Sequence, residues 1–487
     1  MIGQNYVNGE FYVSESDHWF GNEDPCTEEP LGVFRNSTER EVGEAYDAAR
    51  KAFQDWRKVS RVQRAEYLYE VAKLIEQRRE QLAKIISMET GKNYNESIAE
   101  VNEALHMAQY AFGSGRTPQG EAVASEISEK DSYMLRKPKG VVAVVSPWNF
   151  PLAIGAFWCA APAIVEGNTV ILKPSEDAPW ISQVAMQLYH DAGVPPGVIN
   201  LIHGDGNVGD MLIKQDVDHI CFTGSAEVGQ HVRKVCADSW HKTCSCEMGS
   251  KSAVVVFDDG DFDLAISGSI ASSFKLSGQR CVSAGRLIVQ RTIYDKFVEA
   301  YKHYAEQVKA GDPFGHEPAY MGPLINKQQF DRVLEYNQMV REDREATVVL
   351  DSSHQRPGYF VSPMVYKTEW RDVPYLKQEV FGPHVAIIPF DTIDDAIRIY
   401  NDTDYGLAVG VVTKDFKKAR ICRDNCDYGM CYWNGGSIAA ESHLAFGGVK
   451  KSGNGYPSAA RTVRAVTHEV SWTVNHSELL EFPQGMK

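Results

Sequence analysis

Hydrophobic positions change their period partway along the chain. Between residues 38 and 112 they recur at three- and four-residue steps, which predicts helices. Val42, Ala45, Ala49, Phe53 and Trp56 follow Thr38-x-x-Glu41, a pair with the spacing of a capping box. The pattern continues over 61–90 through Tyr67, Leu68, Val71, Leu74, Ile75, Leu82 and Ile86, and Gly91 is the expected stop. These helices read as scaffold. From Gly140 the pattern becomes short β-branched runs at 141–145, 169–172, 199–202 and 220–222, separated by helix-like stretches. Runs apolar on both faces predict a parallel sheet covered by helices. A second alternation begins at 253–257 and recurs at 287–289, 385–388 and 407–412, so two α/β sheets in tandem are expected. The segments 126–137 and 463–475 look extended and are predicted to pair as a separate small β element.

Composition narrows the function. The chain has 487 residues, 43% of them hydrophobic and 24% charged, enough apolar material for a core and against disorder. The formal net charge of −15 opposes phosphate backbones and anionic surfaces, so no nucleic-acid or membrane partner is expected. The most apolar run, 152–165, contains Gly155 and Pro162 and is too short to span a bilayer, and it reads as a buried helix. The start lacks a basic segment followed by an apolar one, so no signal peptide is expected. Ten cysteines with no CxxC and no paired Cys/His spacing argue against a disulfide scaffold or a metal site, and for a reducing, cytoplasmic location.

Several motifs carry chemistry. Cys281 lies in Ser-Gly-Gln-Arg-Cys-Val-Ser, between Gly278 and Gly285 and beside Arg280, with room around the sulfur and a cation that favours thiolate. Pro147-Trp148-Asn149-Phe150-Pro151 follows the first predicted strand, where a fixed Asn149 amide could donate to an oxyanion or serve a rigid turn. Lys173-Pro174-Ser175-Glu176 ends the second strand and suits ribose hydroxyls. Phe222-Thr223-Gly224-Ser225 opens a helix whose first amides suit pyrophosphate, although GSAEVG is not the GxGxxG fingerprint. Glu247, among small and apolar residues, is a candidate general base. Glu379-Val380-Phe381-Gly382-Pro383 and the glycine-rich 446–453 complete the set.

Taken in order and at these separations, the motifs resemble the aldehyde dehydrogenase superfamily over nearly the whole chain. The resemblance implies a modified Rossmann cofactor domain (1–123 and 141–247), a second α/β catalytic domain (248–445) and a small β oligomerisation arm with its tail (124–140 and 463–487). It implies Cys281 as nucleophile, Asn149 with the Cys281 N–H as oxyanion donors, and Glu247 as the base that activates water. Trp148, Lys173, Ser175, Glu176, Phe222, Gly224, Ser225, Glu379 and Phe381 fall on the cofactor side, with Lys173 and Glu176 on the adenosine ribose, Glu379 on the nicotinamide ribose and Phe381 near the nicotinamide ring. The implied cofactor is NAD, since Glu176 would accept from a free 2′-OH and repel a 2′-phosphate, with NADP open because Lys173 partly offsets that repulsion. The implied assembly is a homodimer or homotetramer. The implied reaction is oxidation of a small-molecule aldehyde to an acid through a thioester. A CoA-acylating relative and a non-catalytic one are the alternatives, and the presence of Glu247 and Cys281 weighs against both.

Substrate choice falls on Val282, Ser283 and the loop 434–441. Ala439-Ala440-Glu441 is similar to the α-aminoadipic semialdehyde branch, whereas Val282 departs from the pyrroline-5-carboxylate branch. An amino-acid-derived semialdehyde is the favoured substrate. A general aliphatic or aromatic aldehyde stays open, with Trp158, Phe274 and Trp433 as tunnel or core residues.

Overall fold

In the computed structural model, residues 1–315, 319–455 and 458–482 are described. The helical region begins as the pattern predicts: Thr38 caps Glu39–Trp56 with a full capping box, its side chain accepting from Glu41 N and the Glu41 carboxylate accepting from Thr38 N. The stretch 61–90 is two helices rather than one, Arg61–Gln77 and Arg79–Thr90, broken where Arg78 leaves helical geometry at φ −105°. Gly91 ends the second in the left-handed region, φ 67°. Helix Tyr94–Ser114 follows and packs on Arg61–Gln77 through Leu68, Val71, Ile75, Val101, Ala104 and Met107, all fully buried.

The first sheet has eight strands in the order Glu10–Tyr12, Asn5–Val7, Ile199–Leu201, Thr169–Lys173, Val141–Val145, His219–Thr223, Thr243–Glu247 and Gly453–Asn454. Its five central strands are parallel and, counted along the chain, lie in the order 3-2-1-4-5. That is the doubly wound order whose ligand crevice opens where the order reverses, beyond the carboxyl ends of Val141–Val145 and His219–Thr223. A Gly453–Asn454 strand from far along the chain closes the edge antiparallel to Thr243–Glu247.

The second sheet runs Thr347–Leu350, Met364–Lys367, His384–Phe390, Arg286–Gln290, Ala253–Val256, Ala408–Val412 and Met430–Trp433, all neighbours parallel except the antiparallel first pair. The predicted extended segments do pair, Lys130–Pro138 against Thr467–Asn475, with Gly120–Val123 as a third strand. Their starts differ from the expectation, because 463–465 belong to the short helix Thr462–Ala465. Residues 483–487 of the expected tail lie outside the described residues. The run 152–165 is a buried helix, but its first part, Ala153–Cys159, is a π-helix and only Ala160–Val165 is α. Among the described residues no helix is long and apolar enough to cross a membrane.

Candidate active site

Strand register brings the motifs to one edge. Val145 is level with Lys173 and with Phe222, and Thr223 with Glu247, so four strands end together and their following loops share the crevice. The 147–151 loop, the 173–176 turn and the Ser225 helix start are therefore neighbours although they are spread over about eighty residues.

Cys281 reaches this edge from the second sheet. Helix Phe262–Phe274 ends in a turn where Leu276, Ser277 and Gly278 take φ of 53°, 54° and 72°. At Gly278 a Cβ would stand 2.3 Å from the Gly382 carbonyl oxygen, so only glycine fits there. Asn149 is 5% exposed, and its Nδ2 donates to the Gln279 carbonyl at 2.9 Å, which joins the two predicted oxyanion segments. Burial pushes the Cys281 thiol up, and the charges of Glu247 and Glu379 push the same way. The Arg280 guanidinium and the Val282 N–H oppose them. Arg280 thus favours thiolate as its sequence position suggests, although burial outweighs it.

Glu247 ends its strand with both carboxylate oxygens buried and without a hydrogen-bond partner. Burial holds it well above the usual carboxylate range, and Cys159 adds to this. A carboxyl group so placed binds a proton more tightly than a solvated one, which is the property a general base needs.

On the cofactor side, Lys173 is 3% exposed and its ammonium meets Glu176 Oε2 at 3.3 Å, with Glu176 on the rim. The Ser175 hydroxyl accepts from Asp177 N, and the Ser225 hydroxyl caps Ala226–Ala237 by accepting from Val228 N at 3.3 Å. Gly224 N donates to the Glu247 carbonyl at 3.0 Å. Phe222 is buried, with its ring under Gly224 and Gly229, so it backs this loop from the core side and does not front the crevice. Glu379 Oε1 accepts from Ser250 N at 2.7 Å, and burial pushes its carboxyl up to about 7. Only a glycine at 249 admits it, because a Cβ there would be 2.1 Å from Glu379 Oε2. Trp148 and Phe381 meet edge to face at 5.5 Å.

The region beyond Cys281 is divided. Ser437 is fully buried and donates to the Val282 carbonyl, which ties the 434–441 loop to the cysteine segment. A cavity of about 270 Å³ is lined by Met430, Tyr432, Ala439, Ala440, Glu441 and Phe446, and Tyr432 is near enough to feel the Cys281 charge. Trp158 and Phe274 are in the core, and Trp158 packs edge to face on Phe446 at 5.3 Å. Trp433 is on the surface, 49% exposed, and packs at a tilt against Phe416, so it lines no tunnel.

Sequence reasoning missed three residues assigned to scaffold. Lys92, Glu96 and Glu100 are buried and hydrogen-bonded to the loops that carry Asn149 and Cys281. The signal was available: Glu96 and Glu100 stand one turn apart on the stripe that continues through Val101 and Ala104.

A fold with a doubly wound sheet, a second parallel sheet and a cysteine delivered to the switch-point crevice defines a class of oxidoreductase, and the comparisons agree with it. The model of the aldehyde dehydrogenase family matches residues 11–471. Alpha-ketoglutaric semialdehyde dehydrogenase of Bacillus subtilis is 34% identical, over 92% of this chain and 93% of the relative. Aldehyde dehydrogenase [NAD(P)+] 1 of Saccharomyces cerevisiae is 37% identical, over 92% of this chain and 90% of the relative. The crystal structure of betaine aldehyde dehydrogenase from Staphylococcus aureus, solved with NAD+, superposes with a TM-score of 0.92 at 30% identity, over 98% of this chain and 95% of the other. The chain belongs to the aldehyde dehydrogenase family. It is an oxidoreductase that acts on aldehydes.

Proposed function

We propose that the chain oxidises an aldehyde to its carboxylic acid through a covalent Cys281 intermediate. The observation that carries this reading is the Asn149 Nδ2 bond to the Gln279 carbonyl, which sets the amide beside the cysteine segment at the crevice. The Cys281 thiol gives up its proton to solvent, its sulfur bonds to the carbonyl carbon, and the oxygen becomes an oxyanion held by Asn149 Nδ2 and the Cys281 N–H. Reformation of the C=O bond leaves a thioester once the hydride has gone. A dinucleotide, when bound, supplies the acceptor for that hydride. Glu247 then takes a proton from water as the water oxygen attacks the thioester, the C–S bond breaks, and the acid leaves. Among the described residues the Glu247 carboxylate has no hydrogen-bond partner, which supports this role because its lone pairs are free to take a proton. Following dinucleotide reduction with an aldehyde panel, with and without CoA, tests the reading. Cys281→Ala should be inactive, and Cys281→Ala with full activity would overturn it.

The residues present fit NAD. Lys173 has one carboxylate partner and further N–H donors for ribose hydroxyls, and Glu176 on the rim offers an acceptor to a 2′-OH. The first turn of the Ser225-capped helix offers amides to pyrophosphate, and Glu379 with Phe381 would hold the nicotinamide end. NADP is the weaker fit, because its 2′-phosphate would meet Glu176.

For the substrate, we favour a semialdehyde with a charged far end. Support comes from the cavity lined by the 434–441 loop, where the small Ala439 and Ala440 leave room and Glu441 would pair with an amino group. The semialdehyde-oxidising Bacillus relative points the same way. A general aldehyde is the second reading, favoured by Met430, Leu444 and Phe446 in the same lining. Comparing kcat/KM for α-aminoadipic, glutamic and succinic semialdehydes against hexanal and benzaldehyde separates the two.

A homodimer or homotetramer built on the three-stranded arm is also proposed. The arm exposes the whole Gly120–Val123 edge strand, and Trp472 on the opposite edge strand and Leu479 and Leu480 after it are exposed as well. Light scattering of the full chain against one truncated before residue 467 tests this. A cytoplasmic location is proposed from the cysteine usage alone, and fractionation of the source cells tests it.

A further inference from the structure

Helix Tyr94–Ser114 lies behind the crevice, yet it presents two carboxylates to backbone amides there. Glu100, fully buried, accepts from Leu152 N at 2.9 Å and from Ala153 N at 3.2 Å with one oxygen. Its other oxygen pairs with the equally buried Lys92, whose Nζ donates onward to the Asn149 carbonyl at 2.8 Å. Glu100 and Lys92 therefore grip the loop on both sides of Phe150. The Phe150 ring itself is held between two cations, Lys92 Nζ at 4.1 Å and the Arg280 guanidinium at 5.2 Å.

Glu96, one turn earlier and 6% exposed, does the same for the other segment. Its two oxygens accept from Leu276 N at 3.0 and 3.2 Å, and Oε1 stands 3.5 Å from Arg280 Nη2. Leu276 is the first of the three left-handed residues that lead into Cys281. Buried ion pairs are poor sources of stability, because desolvation offsets most of the attraction, so apolar side chains would serve a mere scaffold better. What charge supplies here is direction: the two carboxylates fix the Leu152, Ala153 and Leu276 amides from one helix.

We propose that Glu96 and Glu100 are positioning residues for the oxidation, one rigid helix setting the Asn149 and Cys281 segments at the separation the oxyanion requires. The inference rests on the function proposed above. Two donors on loops drawn from different sheets have no covalent reason to stay in register, and a helix with carboxylates one turn apart provides it. A displacement on the order of 1 Å in such a donor can cost about a hundredfold in rate.

The test is a double-mutant cycle read by kcat and KM on the full chain. Glu100→Ala is expected to lower kcat about 10- to 100-fold while KM for the aldehyde moves less than about threefold, since the lost interaction is made in the transition state. Placed on Asn149→Ala, it should then cost under about threefold more, because its target is already gone. If Glu100→Ala folds poorly, Lys92→Met/Glu100→Gln removes both buried charges together, keeps an acceptor for the Leu152 and Ala153 amides, and frees the Asn149 carbonyl and one cation contact of the Phe150 ring. That variant should lower kcat in the wild-type background and not in Asn149→Ala. Glu96→Gln, which keeps an acceptor for Leu276 N, should recover most of the activity lost in Glu96→Ala. A full, additive loss in the Asn149→Ala background, or a rise in KM with kcat unchanged, would overturn the inference alone. Wild-type kcat in Asn149→Ala itself would overturn the oxyanion reading, and the inference with it.

Discussion

Glu247 ends its strand opposite Gly453, and a Cβ at residue 453 would stand 3.4 Å from Glu247 Oε1 and 2.9 Å from the Cys246 carbonyl oxygen. The candidate base is thus walled by a glycine contributed from two hundred residues away.

Its buried, unpartnered state has a pH signature. The carboxyl holds its proton more tightly in the folded chain than in the unfolded one, because burial raises it. The folded state therefore binds more protons as pH rises through the usual carboxylate range, and stability falls across that window. Glu247→Gln should remove this loss. It is expected to melt higher than wild type at pH 8, with the difference vanishing in acid below the unfolded carboxylate range. Differential scanning fluorimetry across pH checks this, and a constant difference at every pH would contradict it. In the same variant acid release should slow by about 10² to 10⁴ if Glu247 is the base, with the first burst of reduced dinucleotide retained.

Glu176 should govern the choice between dinucleotides. Its carboxylate sits on the rim beside the buried Lys173 ammonium, at 3.3 Å. Glu176→Gln removes the negative charge and leaves a hydrogen-bonding group, so kcat/KM for NADP should rise at least about tenfold, roughly one charge repulsion at short range in a partly screened site. The value for NAD should change less. Steady-state kinetics with both dinucleotides decides, and an unchanged ratio would mean another group reads the 2′ position.

Gly278→Ala should damage both stability and turnover. The residue has φ 72°, and its Cβ would collide with the Gly382 carbonyl at 2.3 Å. Left-handed backbone alone costs a non-glycine residue on the order of 1–2 kcal/mol. The collision adds to this and pushes the Cys281 segment away from the Glu379–Pro383 turn. A lower Tm together with a fall in kcat is expected, whereas a neutral variant would show that the turn is free to rearrange.

Much of this protein was legible in one dimension. The change of hydrophobic period at Gly140 marked the passage from helices to the first sheet, because strands buried on both faces must be apolar throughout. Thr38 and Glu41 announced the first helix, since a cap is a local hydrogen-bonding device. The chemical motifs stood out for the same reason: each strand end, turn and loop carries its own short-range demands. Other features had no local cause. The break at Arg78 and the π-helix at Ala153–Cys159 interrupt sequences that read as continuous helix. Phe222 and Trp433 carry similar aromatic signals, yet one is buried under a loop and the other packs on the surface.

By itself the sequence determined the alternation of strands and helices, the helix caps and the choice of candidate reactive side chains, all matters of residues near one another along the chain. Tertiary structure alone decided which of them meet. Glu247 faces Gly453, Asn149 reaches the Gln279 carbonyl, and Glu96 and Glu100 grip loops from two different sheets. Burial and partnership depend on the packing of segments far apart in the chain, and these set the proton affinity of a carboxylate and the direction of an amide.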